Sequence, residues 1–325
     1  MTRGGMSLRT RQLAHEIIRV RLHLLVQVVS LVIFPFFVYG LVFVFEAARL
    51  PIESTLLSGI VIAASTPTTV SSNVVMTRNA GGNEAAALMN AALGNVLGIF
   101  VSPALVYLFL RNADVGQNSS GAQLDYLSVL ENLGATILAP LVIGQIIQSI
   151  WPDTIAKWRA RLRLSDINSL CLLLLVWSVF CDTFTSNSFA MIHATDIIAI
   201  LIINLFLYIG FSLLCLFLAR LPVPHGPLWI SRWRFSREDT VAIMYCGATK
   251  TVAMGVPLIN VLYSGGDPGL IGVLSTPLLM YHVEQLICGS IEVSILKKWV
   301  VRGKERDERA RAEAETSASE GLLEV

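Results

Sequence analysis

The sequence predicts an all-α polytopic membrane protein whose spans form an inverted repeat around two interrupted helices. Three observations lead there. Of 325 residues, 54% are hydrophobic and 14% charged, with mean hydropathy +0.66, whereas soluble domains run near about 25% charged. The apolar residues fall into runs close to the roughly 20 residues that cross a bilayer as a helix. Two of those runs are broken by polar residues in corresponding places. A net charge of +1 gives no global field for nucleic acid. No Walker motif, His-based nucleophile pair or metal-ligand cluster is present, so neither enzyme activity nor a cofactor is expected. Cys171, Cys181, Cys215, Cys246 and Cys288 all lie in apolar runs, without metal spacing or a disulfide framework, and are expected to be buried thiols.

Eight spans follow in order. Leu22–Phe45 comes first, with Pro35 as the expected kink. Leu56–Thr77 is the first broken span. Ala85–Leu110 has no charge. Leu133–Trp151 is uncharged and contains Pro140. Ile167–Phe184 is short and ends at Asp182, which reads as a cap or interface residue. Ile197–Ala219 is unbroken. Thr240–Leu262 is apolar except around Lys250, and Leu270–Leu296 closes the set. Arg9, Arg11, Arg19 and Arg21 interrupt any short apolar region before them, which argues against a signal peptide. The expected organisation is a cytoplasmic N-terminal segment (residues 1–21), a transmembrane domain (22–299) and a cytoplasmic tail (300–325). The tail is rich in Lys, Arg, Glu and Ala and reads as a helix fading into disorder.

Lys and Arg set the orientation. With the N-terminus inside, only Arg49 and Arg111 of the 24 Lys and Arg residues fall outside, and Lys250 alone lies within a span. Both termini are then cytoplasmic. The sequon at Asn118 faces the outer or lumenal side.

The first break is Ser65–Asn73, in which six of nine residues carry a hydroxyl. Pro67 lacks an N–H and its ring clashes with the preceding turn, so the helix should stop there. Broken backbone at membrane depth survives only inside the protein or along a cavity. The chain then matches itself. Gly98…Ser102-Pro103…Tyr107 aligns with Gly272…Thr276-Pro277…Tyr281, and Pro67-Thr68-Thr69-Val70 echoes Thr249-Lys250-Thr251-Val252. Opposite orientation of the two halves makes the repeat inverted, the pattern of secondary transporters with a midplane site. The second break, Cys246–Gly255, holds Lys250. A cation at the helix centre costs about 2.5–3.5 kcal/mol on insertion scales, so Lys250 should face the interior. Two readings stand: a site cation (contacting a substrate anion, or standing where a coupling ion would sit), or a structural lysine neutralised by a carboxylate.

At these residues the chain resembles the bile acid:sodium symporter family, a branch of the cation/proton antiporter-like transporters. Within it the resemblance is to the cotransporter 7 branch, which includes the fungal regulators of calcium homeostasis. Leu22–Gln27, Pro67–Val74, Gly81–Ala85, Leu97–Pro103, Phe180–Phe184, Asp239–Ile243, Lys250–Pro257 and Pro277–His282 carry it. The resemblance implies ten transmembrane helices in two inverted repeats, with discontinuous helices 4 and 9 crossing in a core domain beside a smaller panel. The eight spans here correspond to helices 3–10, so helix 1 and most of helix 2 are expected to lie outside this chain, as in a truncated form. Ser72 and Asn73 match ion ligands of the family. Where sodium-coupled members carry a carboxylate and a glutamine at the helix 9 break, this chain has Tyr245–Lys250 without an acid. The resemblance therefore implies restraint of calcium influx rather than sodium-driven bile acid uptake.

The candidate substrate- or ion-binding residues are Thr68, Thr69, Ser71, Ser72, Asn73, Asn90, Thr249, Lys250, Thr251 and Glu284. No metal ligands are expected. Asn90 either faces the break or bonds a neighbouring helix. His282 and Glu284 form either a proton relay or the partner of Lys250, and Glu292 either joins them or snorkels near the inner face. Asn83 should cap the next helix, with Glu84 in its first turn. The expected partners are membrane lipid, a small solute or ion, and a calcium-uptake channel. The expected location is the plasma membrane, with endoplasmic reticulum or Golgi as the alternative. The competing function is a sodium- or proton-coupled organic-anion symporter.

Overall fold

The computed structural model describes Glu16 and residues 18–110, 139–162, 192–221, 234–263 and 268–323, with isolated positions between 131 and 185. Every regular element among the described residues is helical. Ten helices are used below: α1 (Val20–Ala47), α2 (Ser54–Ser65), α3 (Ser71–Asn79), α4 (Glu84–Leu110), α5 (Ala139–Ile150), α6 (Pro152–Arg161), α7 (Ala194–Ala219), α8 (Arg237–Ala248), α9 (Val252–Leu262) and α10 (Pro268–Leu323).

Among the described residues, five stretches are long and apolar enough to cross a membrane: Val20–Ala47, Glu84–Leu110, Ala194–Ala219, Arg237–Leu262 and Gly269–Arg309. Ser54–Ser65 is a shorter apolar helix. The expected span Ile167–Phe184, with Asp182, and the sequon at Asn118 lie outside the described residues or on isolated positions among them.

Pro35 does not interrupt α1, which runs on to Ala47. A widened, π-type turn at Val29–Ile33 precedes it, and the Phe34 N–H reaches back five residues to the Val29 carbonyl. Such turns absorb the clash a proline makes with the turn before it. Both broken spans are broken where expected. The first stops at Ser65 and restarts at Ser71; the second stops at Ala248 and restarts at Val252. The tail does not fade after Lys297: α10 runs without interruption to Leu323.

The broken spans are the interior of the fold. In Arg237–Leu262, 89% of the most apolar stretch is buried, against 33% in Ala194–Ala219. The outer face of α7 instead presents Ile198, Ile202, Phe206, Leu213 and Phe217, as a lipid-facing helix should. α8 packs on α3 and α9 on α2, so each half of one broken span meets the opposite half of the other. Small residues allow the closeness. A Cβ on Gly59 of α2 would sit 2.6 Å from the Leu274 carbonyl of α10, and one on Gly98 of α4 would sit 2.7 Å from the Pro67 ring.

A charged cluster ties the ends of α1, α4 and α8 together. Arg19 forks onto both oxygens of Asp239, at 2.8 Å from one, and also pairs with Glu16. Those carboxylates raise the Arg19 guanidinium above its ordinary range. Asn83 caps α4 through the Ala86 N–H at 3.0 Å and donates to Asp239 at 2.9 Å. Glu84 lies in the first turn of α4. Both agree with the sequence reading. The cysteines agree only in part: Cys215 and Cys246 are buried, but Cys171 and Cys181 are exposed.

Candidate functional site

The first break begins where α2 runs out of donors. The Ser65 hydroxyl donates to the Val61 carbonyl at 2.8 Å, and the Thr66 hydroxyl to Ala63 at 2.8 Å. These two hydroxyls cap the helix end and are not available to a ligand. Thr66 turns extended, with φ −76° and ψ 152°. At the second break the Thr249 hydroxyl caps α8 at Tyr245 O, 2.7 Å away, and the Tyr281 hydroxyl takes the Ala248 carbonyl at 2.7 Å. The two breaks then join directly. The Thr251 N–H donates to the Pro67 carbonyl at 2.9 Å.

Thr68, Asn73 and Thr249 form a closed knot across the junction. The Asn73 amide donates to Thr68 Oγ1 at 2.7 Å and to Thr249 Oγ1 at 2.8 Å, and the two hydroxyls are 2.8 Å apart. All three side chains are buried. Their polar atoms face one another, so they link the broken helices as the structure stands. Thr69 and Ser72 pair separately at 2.9 Å on the half-buried rim. Ser71 is exposed at the first turn of α3.

Lys250 is fully buried at the centre of the junction. Its Nζ donates to the Ser30 carbonyl at 2.6 Å and the Thr66 carbonyl at 3.0 Å, and sits 4.3 Å from the Phe34 ring centroid. Both carbonyls are free for a stated reason. With Phe34 bonded back to Val29, the next donor in the widened turn would be residue 35, and Pro35 has none. Thr66 ends α2 one residue before Pro67 and has no helical donor. Two prolines thus strand two carbonyls, and one lysine takes both. Among the described residues no carboxylate lies within ion-pair distance of Lys250, so the carboxylate-neutralised reading does not hold.

Three further placements correct the sequence reading. Asn90 is not at the break. Its Oδ1 accepts from His23 Nδ1 at 3.0 Å, its Nδ2 donates to Ala86 O at 2.9 Å, and its main-chain carbonyl accepts from Gln27 Nε2 at 3.0 Å. It belongs to the α1–α4 contact. Asn95 reaches the break instead, donating to Thr68 O at 2.9 Å. Glu284 does not partner Lys250 either; both its oxygens are buried with no hydrogen-bond partner. Glu292 does not snorkel. It accepts from Tyr208 at 2.9 Å and Ser212 at 3.0 Å.

Gln285 is the site residue that sequence reasoning missed. Its Oε1 accepts the Lys250 N–H at 2.8 Å and its Nε2 donates to the Lys250 carbonyl at 2.8 Å. The second amide hydrogen goes to His282 Nδ1 at 2.7 Å, which makes that nitrogen the acceptor. Gln285 thereby satisfies both main-chain groups that the break exposes. The available signal was a lone amide in an apolar span, beside a glutamate that drew the eye.

Comparison with known proteins gives the family of the sequence. A profile of the SBF-like CPA transporter family matches residues 3–298. The chain belongs to that family. Similar proteins include the Solute carrier RCH1 of Candida albicans, 32% identical over 91% of this chain and 78% of its own length. Sodium/bile acid cotransporter 7-B of Xenopus laevis is 34% identical over 92% of this chain and 80% of its own. Solute carrier RCH1 of Saccharomyces cerevisiae is 33% identical over 94% and 76%. The chain is therefore a multi-pass membrane protein of a transporter family, in the branch that the sequence reading named.

Proposed function

We propose that this chain is a carrier that restrains calcium entry into the cell and is not driven by sodium. One observation carries the reading: the Lys250 ammonium, bonded to the Ser30 and Thr66 carbonyls, occupies the meeting point of the two breaks. Main-chain carbonyls at broken helices are the oxygen ligands by which transporters of this kind hold a coupling cation. A tethered cation satisfies them permanently. A second unit charge about 4 Å away would meet roughly 4 kcal/mol of repulsion at an effective dielectric near 20, about a thousandfold in affinity. The resemblance to the branch that includes the fungal regulators of calcium homeostasis supports the calcium part.

In this reading the eight spans form an inverted repeat with both termini cytoplasmic, in the plasma membrane. A small solute or ion is moved, or a calcium-uptake channel is the partner acted on. Lys250 and the rim pair Thr69–Ser72 face the transported species, Thr68, Asn73, Thr249 and Thr251 hold the breaks together, and Asn90 serves helix packing. The alternative, a sodium- or proton-coupled organic-anion symporter, draws support from relatives named as sodium/bile acid cotransporters.

The test is calcium influx in cells lacking the gene, with wild type and Lys250→Met added back at matched surface levels. Wild type should lower influx and the variant should not; equal rescue contradicts the role given to Lys250. Uptake of labelled sterol conjugates should not depend on sodium. Sodium-dependent uptake overturns the reading in favour of the symporter.

A further inference from the structure

Two carboxylates of α10, Glu284 and Glu292, lie in the part of that helix packed on α7, eight residues or about 12 Å apart. Their surroundings are opposite. Glu292 accepts one hydrogen bond on each oxygen, from Tyr208 and Ser212. Glu284 has both oxygens buried and accepts none. Asn204 of α7 gives one amide hydrogen to the Pro277 carbonyl, 3.1 Å away, and its other lies against Glu284 as the one polar group beside it. A buried anion with no counter-charge and only a loosely placed amide beside it is among the costliest arrangements in a membrane interior, and native interiors rarely leave such atoms unexplained.

Among the described residues the neighbouring elements offer no counter-charge, and Arg237 of α8 donates to the Trp299 carbonyl. α2 and α9 carry no ionisable side chain. From α7, Tyr208 is held by Glu292 and Asp196 is two turns away at the helix start; from α8, Tyr245 donates to the Gly289 carbonyl. Arg78 of α3 pairs with Glu84. On α10 itself Tyr281 bonds Ala248 O, His282 bonds Gln285, and Cys288 is a free thiol. Lys250 is committed to Ser30 and Thr66. A proton meets the need without any of them: it cancels the charge and turns one oxygen into an O–H donor beside the Asn204 amide.

We propose that Glu284 is a proton-binding site in the membrane interior, separate from the junction of the breaks, and supplies the ion coupling that Lys250 denies to sodium there. The coupling half rests on the carrier reading above; proton binding itself does not. Infrared difference spectra of the full chain in nanodiscs, taken across pH, read carboxyl protonation without any substrate. A titrating carboxyl C=O band is expected, retained in Glu292→Gln and lost in Glu284→Gln. Glu284→Asp should move the band, and it stands in for the amide variant if that one fails to fold. No titrating band in the wild type, or a band unchanged by both Glu284 variants, overturns the site. In cells, restraint of calcium influx should change severalfold with external pH in the wild type and be flat in Glu284→Gln. A pH response that survives in Glu284→Gln overturns the coupling, while loss of all restraint in the wild type would instead sink the carrier reading.

Discussion

The two breaks solve the same problem differently. Each interrupts a helix at membrane depth and must satisfy the main-chain groups it frees. The first, Thr66–Val70, does so mainly with local residues: hydroxyls at Ser65 and Thr66 fold back onto α2, and only the Thr68 carbonyl is met from outside, by Asn95 of α4. The second, Thr249–Thr251, is clamped from outside by Gln285 and Tyr281 of α10. The first break also exports a need, the Thr66 carbonyl, and the second exports the donor, Lys250. Neither break is complete alone. The junction is closed by one side chain, Lys250, bonded to the Ser30 carbonyl of α1 and the Thr66 carbonyl of the first break.

The largest test of that contrast is Lys250→Met. It removes a buried charge, which is favourable, but leaves the Ser30 and Thr66 carbonyls without a donor. Orphaned buried acceptors cost about 1–3 kcal/mol each, so the loss should win by about 2–4 kcal/mol, read as a lower thermal midpoint in purified protein. Adding Pro35→Ala restores an N–H beside Ser30 and should recover about 1 kcal/mol in the Met background. No recovery would mean that Pro35 is not what frees the Ser30 carbonyl.

Gln285→Leu comes next. It strips both main-chain partners from Lys250 and should cost about 2–3 kcal/mol. Gln285→Glu keeps the acceptor for the Lys250 N–H and should lose less. Equal losses would show that the Lys250 N–H does not depend on the Gln285 oxygen. Thr249→Val removes one hydroxyl from the knot and should cost about 1–2 kcal/mol in the same assay. Ser71→Ala, at an exposed position of the first break, should change stability by less than about 0.5 kcal/mol.

Much of this contrast was legible in the sequence. Pro67 located the first break and the lone Lys250 the second, because proline and charge are each intolerable in an ordinary span. The link between them was not. Lys250 binds main-chain oxygens, and the Ser30 carbonyl is freed by a proline five residues further on, so no side-chain pattern announces the pair. Asn90 and Asn95 were both visible as polar anomalies, but five residues turn a helix by about 140°, and periodicity does not say which of two faces meets a break. The oxygens of Thr68, Asn73 and Thr249 looked like ligands for an ion because the sequence does not show that they are bonded to one another. Cys171 and Cys181 sit in apolar runs and are nonetheless exposed, since an apolar run in a membrane has an outside as well as an inside.

The central claim is that Lys250 stands where a coupling cation would, so that sodium has no place at the junction. Thermal unfolding of the purified wild type, with sodium exchanged for choline at constant ionic strength, measures this directly. A sodium site filled at about 100 times its Kd would stabilise the fold by about 2.7 kcal/mol. With Lys250 in that place, no shift in midpoint is expected on adding sodium. A sodium-dependent rise of that size in the wild type would contradict it.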